Sequence, residues 1–104
     1  MTKQLVLEHI FRLFEDPNGF LVQLQVQAKF NQQLYQEIFQ TFTQYNELLA
    51  NEEDINRRAA RFLVDLATAL EGAAYQFSLI EHTDTEKVGK AHAEVLNLMY
   101  ELLP

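Results

Sequence analysis

From residue 20 to residue 49, apolar side chains recur at intervals of three and four, and this spacing constrains the chain more than any other feature. Leu21, Leu24, Ala28, Tyr35, Ile38, Phe42, Tyr45 and Leu49 share one register, interrupted by the polar Asn31. A straight α-helix turns that register into a single stripe, and so long a stripe must be covered by other helices. Residues 59 to 80 repeat the pattern with Ala59, Leu63, Leu66, Leu70, Ala73, Phe77 and Ile80. The spacing therefore predicts an all-α fold, a four-helix antiparallel bundle built on a long αα-hairpin.

The remaining boundaries follow from turn and cap chemistry. Leu7, Ile10, Phe11 and Phe14 define a first helix over about residues 4–15, which Asp16-Pro17-Asn18-Gly19 ends as a strong turn signal. A helix over 20–49 follows. Asn51 before Glu52, Glu53 and Asp54 predicts the start of a third helix over 52–80. Thr83 and Glu86 have capping-box spacing and open a fourth helix over 84–103, with Val88, Val95, Met99 and Leu102 inward. The 104 residues form one domain, 1–104. A hairpin closed near Ala50 places Phe42 against Ala59 and Ala60, Leu24 against Phe77, Ala28 against Ala73 and Ala74, and Asn31 near Glu71 and Gly72. An alternative starts from Phe20, Val22, Leu24, Val26, Ala28 and Phe30, which alternate with polar residues after a turn. It reads as an N-terminal β-hairpin followed by three helices.

Charge and residue types exclude several function classes. The formal charge of −7 opposes binding to nucleic acid or to an anionic membrane surface, and no apolar run reaches transmembrane length. Cysteine is absent, which removes disulfides, thiolate metal sites and thiol nucleophiles. The first apolar run breaks at Glu8-His9, too early for a secretory core, so a cytoplasmic protein is expected. No Glu-x-x-His pair of a di-iron bundle occurs. Glu52-Glu53 does not continue into the Glu-Glu-x-x-Glu spacing of the all-α nucleotide pyrophosphohydrolases. Neither a catalytic residue nor a metal or other cofactor is expected.

What remains is an acidic helical module that acts without catalysis, binding a protein partner and self-associating as a homodimer. The first helix is too short to cover the long pair, which leaves apolar surface for a second copy or a partner. Val22, Val26, Phe30 and Phe39 lie off the main stripe and are the candidate interface. Asn31, Glu71 and His92 are candidate buried polar groups, Asn31 as a register-fixing residue or a cap. Arg57, Arg58 and Arg61 are the densest positive charge, a candidate contact for an anion or acidic partner. Acids three and four residues away also suit intrahelical pairing, and Arg57 is placed to stack on Tyr45. Gly72 in Glu71-Gly72-Ala73-Ala74 marks close helix packing or a pocket bounded by Phe11, Phe14 and Phe77. With His92 and Glu71 as its polar groups, that pocket defines the alternative of a small-molecule binder or enzyme.

Leu7-Glu8-His9 with Glu15, Pro17 and Gly19 resembles the second helix and following turn of the colicin DNase immunity proteins, which are small, acidic and helical. The resemblance implies an inhibitor that masks a basic partner. It is confined to residues 7–19, and the tyrosine-rich short helix of that family is replaced by Phe20-Leu21-Val22-Gln23. No residue role is carried over.

Overall fold

A computed structural model describes residues 2–49 and 54–103, all of whose regular structure is helical. Its helices are α1 (Lys3–Glu15), α2 (Phe20–Val26), α3 (Gln32–Leu48), α4 (Arg57–Leu79) and α5 (Thr85–Leu102). The all-α bundle is as the spacing predicts. No strand occurs among the described residues, so the β-hairpin alternative is excluded.

The expected helix over 20–49 is broken. Ala28 adopts φ 50°, and the Lys29 N–H closes back on the Gln23 carbonyl at 2.9 Å. Asn31 then starts a new helix, its side-chain oxygen accepting from the Leu34 N–H at 3.1 Å. A left-handed alanine costs about 1–2 kcal/mol, so tertiary contacts have to hold the break. They do so on both sides: Phe30 is buried against Phe20 and Tyr35, and the His82 ring donates to the Ala28 carbonyl at 3.0 Å.

The break reverses the chain, and successive helices alternate in direction. α1 and α3 run parallel, since His9 meets Glu37 and Phe14 meets Phe42. α3 and α5 also run parallel, with Tyr35 at Ala91 and Asn46 at Glu101. α4 opposes α1, with Phe11 and Phe14 on Phe62 and Arg58 on Glu15. The long antiparallel hairpin is therefore α4 with α5, the most extensive helix contact in the molecule. α3 packs chiefly on α1 and then on α5, not along α4 as a hairpin closed near Ala50 would require. That connection, and the expected cap at Asn51, lie outside the described residues.

The α4 stripe is inward as expected from Ala59 to Phe77, while Ile80 lies past the helix end and is exposed. Tyr35, Ile38, Phe42 and Tyr45 are no more than 3% exposed, so the chain covers the α3 stripe by itself. The surplus apolar surface expected there for a second copy is absent, because α1 and α5 flank α3 on both sides.

Two helix starts differ from expectation. Asn56 caps α4, accepting from the N–H groups of Arg58 and Ala59. Asp84, not Thr83, precedes α5, and the His82 carbonyl accepts the Thr85 hydroxyl at 2.7 Å. The turn at Asp16–Gly19 forms as expected, although Gly19 is needed for close approach rather than for positive φ. A Cβ there would lie 3.1 Å from the carbonyl oxygens of both Leu13 and Asp16.

Candidate functional site

Two of the depressions among the described residues border the α4–α5 hairpin. The first lies between α2 and α4 and encloses about 430 Å³. Its floor is made by Thr68, Ala69, Gly72 and Ala73, where α4 presents almost no side-chain bulk. Leu24 and Phe77 form its apolar walls, and Tyr75 and Ile80 stand at its edge. Among the described residues no charged side chain lines it. An added Cβ on Gly72 would meet nothing within 4 Å, so this glycine opens the cleft rather than admitting another helix of the chain. Tyr75, Leu79 and Ile80 are 62–65% exposed, a concentration of large apolar side chains in the last turn of α4 and just past its end.

The second depression lies between α3 and α5 and encloses about 580 Å³. Phe30, Tyr35 and Phe39 form an aromatic row, with successive ring centroids 5.7 and 6.0 Å apart. Gln32, Gln36 and Gln40 project from one face of α3, and Lys87 and Lys90 come from the first turns of α5. The Tyr35 hydroxyl lies 3.3 Å from both the Ala91 carbonyl and the Glu94 carboxylate, and it donates to one of them. Burial, with the Glu94 carboxylate beside it, pushes the Tyr35 phenol well above its ordinary range.

A loop-to-helix clamp holds the first cleft in shape. Gln23 is the one buried polar side chain among the described residues. Its amide donates to the Asn18 carbonyl at 2.9 Å, and its oxygen accepts from the Asn31 amide at 3.1 Å. It thereby ties the turn before α2 to the cap after it. His82 does the same from the α4–α5 turn. A carbonyl can only accept and an N–H can only donate, so Nε2–H faces Ala28 while Nδ1 accepts from the Asp84 N–H at 3.0 Å. The ring also stacks on Phe77, centroids 4.0 Å apart. α4 ends as a Schellman motif: the His82 N–H reaches the Phe77 carbonyl at 2.9 Å, and Glu81 takes φ 53° where glycine is usual.

The expected site residues are dispersed. Phe30 is buried and, with half-buried Phe39, belongs to the α3–α5 groove; Val22 is half-buried and Val26 is exposed at the end of α2. Phe30 is thus a core residue, not a surface contact. Asn31 is a helix cap. Glu71 is exposed and His92 half-buried, and neither lines the cleft at Gly72, so the two do not form its polar groups. Phe77 lines that cleft, whereas Phe11 and Phe14 pack on Phe62 elsewhere. Arg57, Arg58 and Arg61 are all exposed, but Arg58 is already engaged: it pairs with Glu15 and lies 4.5 Å over the Phe11 ring. Tyr45 meets the Asn56 N–H instead of an arginine.

Sequence reading missed Gln23, His82 and the lysine pair. The positional signal for Lys87 and Lys90, three residues apart on a helix, was present, but their aromatic neighbours come from a distant part of the chain. Among the described residues no group of three or more His, Asp or Glu side chains could hold a metal, and no helix is long and apolar enough to cross a membrane. No protein-family model matches this chain, and no curated protein and no solved structure matches it either.

Proposed function

We propose that the protein is a non-enzymatic interaction module that receives the apolar face of a partner's helix in the cleft between α2 and α4. The observation that carries this reading is the uncharged, small-floored cleft bordered by exposed Tyr75 and Ile80. An amphipathic helix lays its i, i+3, i+4 and i+7 side chains into such a groove, and a glycine and alanine floor lets the backbones approach. General acid–base chemistry needs a titratable group in reach of the substrate, and among the described residues the lining offers only the Tyr75 phenol.

The test uses a helical peptide with leucine at those four spacings, titrated into the protein and followed by backbone amide NMR. Saturable shifts at Ala69, Gly72 and Ala73, lost in Gly72→Leu, are the expected result. Shifts spread over the acidic surface, or binding that survives Gly72→Leu, would overturn the reading. If the cleft is instead covered by a second copy of the chain, light scattering on the free protein gives a dimer that Gly72→Leu dissociates.

A further inference from the structure

The α3–α5 groove is separate from the α2–α4 cleft and has the opposite character. In a chain of net charge −7, it gathers two of the four lysines beside an aromatic row. Lys87 has only a long contact with Asp84, 3.7 Å, and Lys90 makes no ion pair among the described residues. Asp84 stands three residues before Lys87, and Glu86 and Glu94 stand four residues either side of Lys90, so acids of the same helix lie at pairing distance, yet among the described residues the ammonium groups make no short ion pair. Both sit in the first turns of α5, where the helix dipole adds to their positive potential.

The other end of the groove is negative. Past Glu94 it continues into a shallower depression of about 260 Å³, shared through Phe39 and bounded by Glu101. Glu94 lies 3.3 Å from the Tyr35 hydroxyl and Glu101 accepts from the Asn46 amide at 2.9 Å, so both carboxylates stand at that end. The groove thus has a cationic mouth, an aromatic wall and an anionic far end. Across from the lysines, Gln32, Gln36 and Gln40 offer side-chain amides that no other described group uses.

We propose that this groove binds a small planar aromatic molecule carrying a single anionic group, its ring on half-buried Phe39 and the edges of Phe30 and Tyr35 that reach the groove, and its anion between Lys87 and Lys90. The volume suits a ligand of that size. A second anionic group at the opposite end of the ligand would face Glu94 and be repelled. Carboxylate and phosphate head groups both satisfy the lysines.

The experiment titrates naphthoate, naphthyl phosphate and naphthalene dicarboxylate separately into the full chain, following the side-chain amide signals of Gln32, Gln36 and Gln40 by proton–nitrogen correlation NMR. The expected result is saturable shifts with one or both monofunctional probes, the tighter one identifying the head group, and weaker binding of the dicarboxylate. Lys87→Gln with Lys90→Gln weakens binding by about tenfold, while Gly72→Leu leaves it unchanged. Both lysines are exposed, so the double variant keeps the fold. Absence of saturation with both monofunctional probes overturns the proposal. So does binding that ignores the lysine substitutions, equal binding of the dicarboxylate, or loss of binding in Gly72→Leu.

Discussion

Replacing Gly72 with alanine separates the cleft from the stability of the fold. Gly72 lies inside α4, exposed, with open space where a Cβ would stand. A glycine in a helix interior is less favourable than alanine by about 1 kcal/mol, because the unfolded chain loses more freedom at glycine. With no contact to disturb, Gly72→Ala should gain that whole amount, which raises the unfolding midpoint by about 4–8 °C for a domain of this size. Gly89, inside α5, is equally unobstructed and serves as the internal control. Thermal and urea unfolding followed by far-ultraviolet circular dichroism should show the same stabilisation for both variants. Should Gly89→Ala stabilise while Gly72→Ala does not, the space above Gly72 is filled in solution and the open-cleft reasoning fails. A midpoint that rises with protein concentration only in the parent chain would point to a second copy as the filler.

Glu81→Gly relieves a left-handed glutamate at the end of α4 and should stabilise by about 0.5–1 kcal/mol in urea unfolding; a loss would mean that the Glu81 side chain contributes more than its backbone strain. Gln23→Ala leaves the Asn18 carbonyl and the Asn31 amide without their partner and should destabilise by about 1–3 kcal/mol, with early hydrogen exchange over residues 18–31. His82→Phe keeps the stack on Phe77 but removes both ring hydrogen bonds, so it should destabilise by about 1–2 kcal/mol; stability equal to the parent would show that stacking alone closes the turn. The Tyr35 phenol is held above its ordinary value of 10.0 chiefly by burial, with Glu94 adding to it. A folded pKa above the unfolded one means that the contribution is complete below about pH 10 and is lost as pH rises beyond it. Tyr35→Phe should therefore flatten the alkaline fall in stability, and an unchanged fall would refute the assignment.

The class of fold and most of the core were already legible in the order of residues. Three-and-four spacing places Leu63, Leu66, Leu70 and Phe77 on one side of α4 whatever surrounds it, because helix geometry is local. The same holds for Tyr35, Ile38, Phe42 and Tyr45, and for the turn at Asp16–Gly19, where side-chain chemistry acts within a few residues. Gly72 was legible as a gap in side-chain bulk, open to close helix packing or to a pocket; that the space is unfilled, and that Phe11 and Phe14 lie away from it, followed from the packing of the other helices. The break of the 20–49 register at Ala28 was not legible in the sequence, because it depends on long-range packing. Continuing the helix would preserve local hydrogen bonds; breaking it buries Phe30 and lets Gln23 and His82 satisfy the exposed backbone, gains that depend on groups from elsewhere in the chain. That reversal sets α3 parallel to α5, and so creates the groove in which Lys87 and Lys90 meet Phe30 and Phe39. Periodicity records which face of a helix turns inward, but it holds no information about which helix lies opposite.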